Sequence, residues 1–367
     1  VVGYRPSEPD ELPTCFGMPA PPYNAFYCDE SDYIGFDDEG LFPDTYDALG
    51  DIAVATILAH EYGHAVQQRI GVLGNPTFLV EQQADCLAGA WVASVGERNG
   101  AGGLRVTAED LGQAVAANLR IADPIGLRPL EQGGHGSGFD RIRAFSEGFD
   151  AGVAVCSAYV VRPPVGVELP YELTPTGPVT EPLDLLVPAV IESLMAFWGF
   201  VFPDLELPTI AEGDAGCAPP TVLDDGGAVW CVETNTIHYD GEAQQELWDE
   251  IGDAGAAYPL VHAWTQAVVG HMSAASNPAA VVTGADCLAG VWYRRLADAH
   301  QRVLDAGGAP RYAYQPAAGD LDEILDALLA APVTGPDGAD VADVSPFART
   351  SAFGDGFLEG EGSCAIG

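Results

Sequence analysis

One half of this chain repeats the other, and that repetition limits what it can fold into more than any other feature. Cys15 and Cys217 lie 202 residues apart, Cys28 and Cys231 203, His60 and His262 202, Asp85 and Asp286 201, and Cys156 and Cys364 208. The strings around them agree too. Cys28-Asp-Glu-Ser-Asp-Tyr-Ile-Gly-Phe-Asp37 aligns with Cys231-Val-Glu-Thr-Asn-Thr-Ile-His-Tyr-Asp240, and Ala84-Asp-Cys-Leu-Ala-Gly-Ala-Trp91 with Ala285-Asp-Cys-Leu-Ala-Gly-Val-Trp292. Solenoid repeats have periods of roughly 20 to 50 residues, so a repeat this long is a whole domain copied. The expected organisation is a domain over residues 1–162, a semi-rigid linker over 163–180 that carries five prolines, and a second domain over 181–367.

Within the first copy, residues 59–69 read Ala-His-Glu-Tyr-Gly-His-Ala-Val-Gln-Gln-Arg and contain His60-Glu61-x-x-His64. On a helix, positions i and i+4 share a face, so both imidazoles reach one metal ion while Glu61, one step round, faces a water beside it. Tyr46, Ile52, Ala55, Ile57, Leu58, Tyr62 and Val66 recur at helical spacing up to a stop at Gly71, which predicts that helix. A catalytic zinc takes three protein ligands and leaves a position for water. The segment from Pro76 to Gly96 has its own apolar helical pattern and carries Glu81 and Asp85 at i and i+4. Glu81 supplies the third ligand in this reading, and Asp85 accepts the second N–H of a ligating histidine.

The arrangement resembles the Glu-zincin peptidases. More closely, Ala-His-Glu-Tyr-Gly-His-x-Val-Gln, Glu-x-Gln-Ala-Asp-Cys-x-Ala-Gly-x-Trp, His135-Gly-Ser, Arg141-Ile-Arg-Ala-Phe and the upstream Ala25-Phe26-Tyr27-Cys28 are similar to the bacterial neutral zinc metallopeptidase family, over nearly all of residues 1–156. The resemblance implies a mainly α (α+β) fold: two zincin-like domains, each a helical core with a short β-hairpin or edge strand and two disulfides. It also implies a zinc-dependent peptidase that hydrolyses peptide bonds through a zinc-activated water, with Glu61 as general base. His135, in a Gly- and Pro-rich loop, is the candidate for steadying the oxyanion. Residues 25–37 alternate enough for a hairpin or edge strand, a candidate shelf for an extended substrate.

The second copy lacks this equipment. His262 remains, but Glu61 becomes Ala263, His64 becomes Gln266, Glu81 becomes Val282, and His135 falls near Asp343. One Zn²⁺ per chain, in the first domain, is therefore expected, beside a degenerate pseudo-peptidase repeat. Because Asp286 survives there, Asp85 has a scaffolding role as well. A pairing that repeats in both halves joins Cys15 to Cys28, Cys86 to Cys156, Cys217 to Cys231, and Cys287 to Cys364. No Cys-x-x-Cys occurs, so zinc-finger and thioredoxin readings drop out. Disulfides place the chain in an oxidising compartment, extracellular or in the cell envelope. With no signal peptide at Val1, a mature form with its targeting segment removed is expected.

With 54 acidic residues against 14 arginines and no lysine, the chain has a formal net charge of -40. Such a surface repels nucleic acid and anionic lipid and suits high-salt water. The most apolar stretch, Leu185 to Phe202, is interrupted by Pro188 and Glu192, which predicts a buried amphipathic helix and no membrane span. The expected partner is a peptide or protein substrate. The alternative function is an extracellular binding or assembly protein with a structural or vestigial zinc.

Overall fold

A computed structural model describes residues 1–97, 106–123, 125, 134–167, 169, 173–174, 177–178, 181–213, 216–217, 227–272, 277–306, 314–330 and 344–364. It divides into two compact units, Val1–Glu168 and Leu169–Gly367.

The first unit opens with strands β1 (Val2–Tyr4), β2 (Thr14–Cys15), β3 (Met18–Pro19), β4 (Ala25–Cys28) and β5 (Tyr33–Asp37). Strand β1 pairs in parallel with β5 and β4 pairs with β5 antiparallel, giving the order β1-β5-β4 with β4 at the edge. Buried Asp37 ends β5. Its Oδ1 accepts from the backbone N–H of Glu39 and Gly40 at 2.9 Å and its Oδ2 from that of Tyr23 at 2.7 Å, which ties the sheet to the next helix.

That helix is α1 (Leu41–Leu49), followed by α2 (Asp51–Ile70). The apolar run from Tyr46 onward is thus two helices, because Gly50 takes φ of 80° and stops the first after Leu49. Gly71, with φ of 77°, ends α2, its N–H reaching the carbonyls of Gln67 and Gln68. Helix α3 (Thr77–Glu97) crosses α2, α4 (Ala108–Arg120) is capped by Thr107 and Asp110, and α5 (Gly138–Ala151) and α6 (Val153–Ala158) close the unit. Disulfides join Cys15 to Cys28 and Cys86 to Cys156, the second pinning α6 to α3.

The second unit begins with the short pair β6 (Leu173–Thr174) and β7 (Gly177–Pro178), which falls inside the stretch expected to be plain linker. Helix α7 (Leu183–Val201) follows. Pro188 does not interrupt it: the proline lies inside the helix and removes one intrahelical hydrogen bond. By length and composition α7 is able to cross a membrane; it buries Leu186, Val190, Leu194 and Trp198 and exposes Leu185, Met195 and Phe200.

Strands β8 (Thr209–Glu212), β9 (Ala228–Cys231) and β10 (Thr236–Tyr239) then form a sheet of order β8-β10-β9, in which β8 runs parallel and β9 antiparallel to β10. Asp240 caps α8 (Gly241–Glu250) through the N–H groups of Glu242 and Ala243. Helices α9 (Asp253–Met272), α10 (Pro278–Asp305), α11 (Asp320–Ala330) and α12 (Pro346–Glu359) complete the order, with bridges Cys217–Cys231 and Cys287–Cys364. The architecture is mainly α with small sheets, and in the three-stranded sheet of each unit the first strand in sequence lies parallel to the last and the middle one antiparallel to it.

Candidate metal centre

Two helices build the site. The close crossing of α2 and α3 needs Gly63, where an added Cβ would sit 3.0 Å from Ala84 Cα and 3.2 Å from Ala84 Cβ. That approach carries Glu81 and Asp85 of α3 to the histidines of α2. Glu81 Oε2 lies 3.1 Å from His60 Nε2 and 3.5 Å from His64 Nε2, and the two Nε2 atoms are 3.1 Å apart.

The second nitrogen of each imidazole is held from behind. His60 Nδ1 donates to Asp85 Oδ1 at 2.7 Å, since a carboxylate can only accept. His64 Nδ1 stands 2.8 Å from Gln67 Oε1. The amide of Gln67 is fixed, because its Nε2 donates to Val80 O at 2.6 Å and to Gln83 Oε1 at 3.1 Å, so His64 Nδ1 is the donor there. Both Nε2 lone pairs therefore converge on the Glu81 carboxylate, and three acceptors share one buried spot. A divalent cation satisfies all three, and the donor set of two imidazoles and one carboxylate is that of a catalytic zinc site. Without a cation the same crowding draws in a proton. Burial opposes a charge on His60, yet the Asp85 charge and hydrogen bond and the contact with Glu81 outweigh it and push its pKa up to about 10. Burial likewise raises the Glu81 carboxyl, but its hydrogen bonds with His60 and His64 hold it well below the usual range.

Asp85 is anchored in turn by Arg141 of α5, whose Nη2 donates to Asp85 Oδ1 at 2.9 Å while Nη1 donates to Ile121 O at 2.7 Å. Glu61 is 7 % exposed, lines the cleft, and has no hydrogen bond or ion pair among the described residues. His135 lines the same cleft, although 53 residues separate it from Gln82, whose Nε2 donates to the His135 carbonyl at 3.2 Å. Its Nδ1 bonds Asp123 Oδ1 at 2.8 Å, and that bond raises the pKa of the half-exposed imidazole. The cleft has a volume of about 710 Å³ and is bounded by β4, α1, α2, α3 and the end of α4.

Gln67, Arg141 and Asp123 are the supporting residues that sequence reasoning missed. Gln67 had a usable signal, since it lies one helical turn beyond His64 on the same face. Arg141 and Asp123 had none beyond the resemblance, because only the packed fold brings them to the site.

At the aligned positions of the second unit the contacts differ. Asp286 Oδ2 accepts from Arg349 Nε and Oδ1 from Arg349 Nη2, both at 3.0 Å, and the Tyr258 hydroxyl donates to Oδ1 at 2.5 Å. His262 stacks on Tyr258 with its Nε2 3.3 Å from Asp286, and Ala263, Gln266 and Val282 are buried too. Asp343, near which the counterpart of His135 was expected, lies outside the described residues.

Comparison with known proteins agrees with the geometry. Residues 13–159 match the family model described as "Putative neutral zinc metallopeptidase". Similar curated proteins include "Uncharacterized protein YpfJ" of Escherichia coli K12, 31% identical over 160 residues covering 36% of this chain and 53% of that protein. "Uncharacterized protein Rv2575" of Mycobacterium tuberculosis is 32% identical over 124 residues covering 28% of this chain and 42% of that protein. The chain thus spans about half the length of the relatives it matches, or less. No solved structure matches. The likeness to the family described as "Putative neutral zinc metallopeptidase" thus falls within the first of the two units, over residues 13–159.

Proposed function

We propose that the first unit is a secreted zinc peptidase and the second a copy that has kept the fold and lost the reaction. The observation that carries the reading is the convergence of His60 Nε2, His64 Nε2 and Glu81 Oε2 beside a Glu61 carboxylate with no partner among the described residues. His60, His64 and Glu81 would hold the metal. Bound there, zinc supplies Lewis acidity toward a water and the scissile carbonyl.

The protein's own groups do the rest. Glu61 accepts the proton of the attacking water and returns it to the leaving amine. The bond from Asp123 orients His135 and favours its charged form, so the imidazole donates toward the oxygen on which negative charge develops. The outer edge of β4 takes an extended peptide by strand addition. In the second unit Ala263 and Val282 have no donor atom, and Asp286 is already held by Arg349 and Tyr258, which supports a structural role. Four disulfides support an extracellular or cell-envelope location.

The test is Glu61→Gln with casein and a peptide library as substrates. Zinc content should match the parent while turnover falls about 10²- to 10⁴-fold, the range of a lost general base. Turnover retained in that variant removes the peptidase reading and leaves a binding protein with a structural zinc.

A further inference from the structure

We propose that Arg120 selects the substrate: the cleft takes a peptide with a carboxylate near the bond to be cut, an acidic side chain or a free C-terminus, and Arg120 holds it. The inference rests on the peptidase reading and deepens it to a substrate class.

Apart from the ligand histidines His60 and His64, the cleft is lined by three basic side chains, Arg120, His135 and Arg141, and two of these are already committed. Arg141 is spent on Asp85 and the carbonyl of Ile121, and His135 is held by Asp123. Arg120, exposed in the last turn of α4, has no hydrogen bond or ion pair among the described residues. Among the described arginines Arg162, Arg295 and Arg302 also have no acid partner, while Arg5, Arg69, Arg143 and Arg294 each find one; Arg120 differs from the other three in lining the cleft beside the metal site. The two cleft carboxylates, Glu61 and Glu81, belong to the metal end.

The surroundings of Arg120 also favour an anion. Ala117, Ile121 and Leu41 make that wall apolar, so a carboxylate docking there gives up water and gains a planar fork of donors that matches it in two places. Neighbouring Ile121 and Ala25 of β4 both pack against the core of Leu41, Phe42 and Ile57, so the edge strand and the end of α4 line one cleft. A peptide laid along β4 has side chains within the same cavity as Arg120. The competing role for Arg120 is to sit at the C-terminal end of α4 and offset the helix dipole. That role predicts a change in stability and no effect on peptide choice.

Binding separates these without relying on turnover. End-blocked hexapeptides of Ala and Leu carrying one Glu, their Gln twins, and unblocked twins with a free C-terminal carboxylate are titrated by calorimetry into the full chain bearing Glu61→Gln. Titrations run at about 0.15 M salt, where long-range repulsion from the acidic surface is screened, with zinc and after chelation. Carboxylate peptides should bind roughly threefold to tenfold more tightly than neutral twins. Adding Arg120→Gln should abolish that ratio, and Arg120→Glu should invert it toward peptides carrying Lys. Whether the Glu peptide or the free C-terminus gains more identifies the source of the carboxylate. No preference in the parent, a preference that survives Arg120→Gln, or no peptide binding at all overturns the proposal. Failure of the peptidase reading alone looks different: the preference stands, equal with and without zinc, and depends on Arg120.

Discussion

Asp85 Oδ1 accepts from Arg141 Nη2 at 2.9 Å with both side chains buried, and the same oxygen faces His60 Nδ1 at 2.7 Å. One carboxylate therefore braces the helix pair and orients a candidate ligand. Its counterpart Asp286 keeps the brace, with Arg349 at 3.0 Å, in a unit without the other ligands. Asp85→Ala and Asp286→Ala should each destabilise by about 3–5 kcal/mol, because each strands a buried guanidinium. Denaturant unfolding checks this. Loss of stability in the Asp85 variant alone would make the brace a property of the metal site and not of the shared fold.

Gln67 fixes His64 as a donor through Nδ1, and its own amide is locked by Val80 and Gln83. Gln67→Ala frees that imidazole to turn, and zinc affinity should drop about 10- to 100-fold with the ligands intact. Competition against a chromophoric chelator measures it. An unchanged dissociation constant would mean that the histidine is positioned by packing alone.

The pH dependence of the second unit follows from three carboxylates, Asp253, Asp320 and Glu323, with ligand atoms within 4.8 Å of one another. Burial, reinforced by the other acids, pushes Asp320 up to about 7 and Glu323 up to about 9, and burial raises Asp253 against the hydrogen bonds it accepts. The hydroxyls of Tyr293 and Tyr314 and the N–H of Ala317 face Asp320, and no arginine among the described residues pairs with the three acids. Folded-state values above the unfolded ones mean that the native state keeps protons the unfolded chain releases. Their stabilisation is complete below about pH 4 and is lost as pH rises through about 7 and then about 9. Calorimetry in high salt should show the second unit melting at higher temperature at about pH 5 than at about pH 8. Asp320→Asn should flatten that slope, and a slope unchanged in the variant would assign it to other groups.

Much of this was legible because it is local or repeated. The His60-Glu61-x-x-His64 spacing works on any helix, Glu81 and Asp85 share a face for the same reason, and the recurrence of cysteines across the halves limits their pairing. The hairpin over 25–37 and the mainly α class could be read from periodicity and resemblance. What was hidden depends on where distant segments meet. Nothing near Arg141 says that it ends 2.9 Å from Asp85, and nothing near Val2 says that it pairs with Gly35. Gly50 was readable as a break only with its positive φ in view, since the apolar spacing runs straight through it.

The central claim is that two histidines and one glutamate of the first unit grip one metal ion and that the second unit grips none. Metal analysis of the full chain purified without chelator, by mass spectrometry against protein concentration, tests it most directly. The account predicts one zinc per chain, lost in His60→Ala and His64→Ala and retained in His262→Ala. Zinc that persists in both of the first two variants, or that departs with His262→Ala, would contradict it.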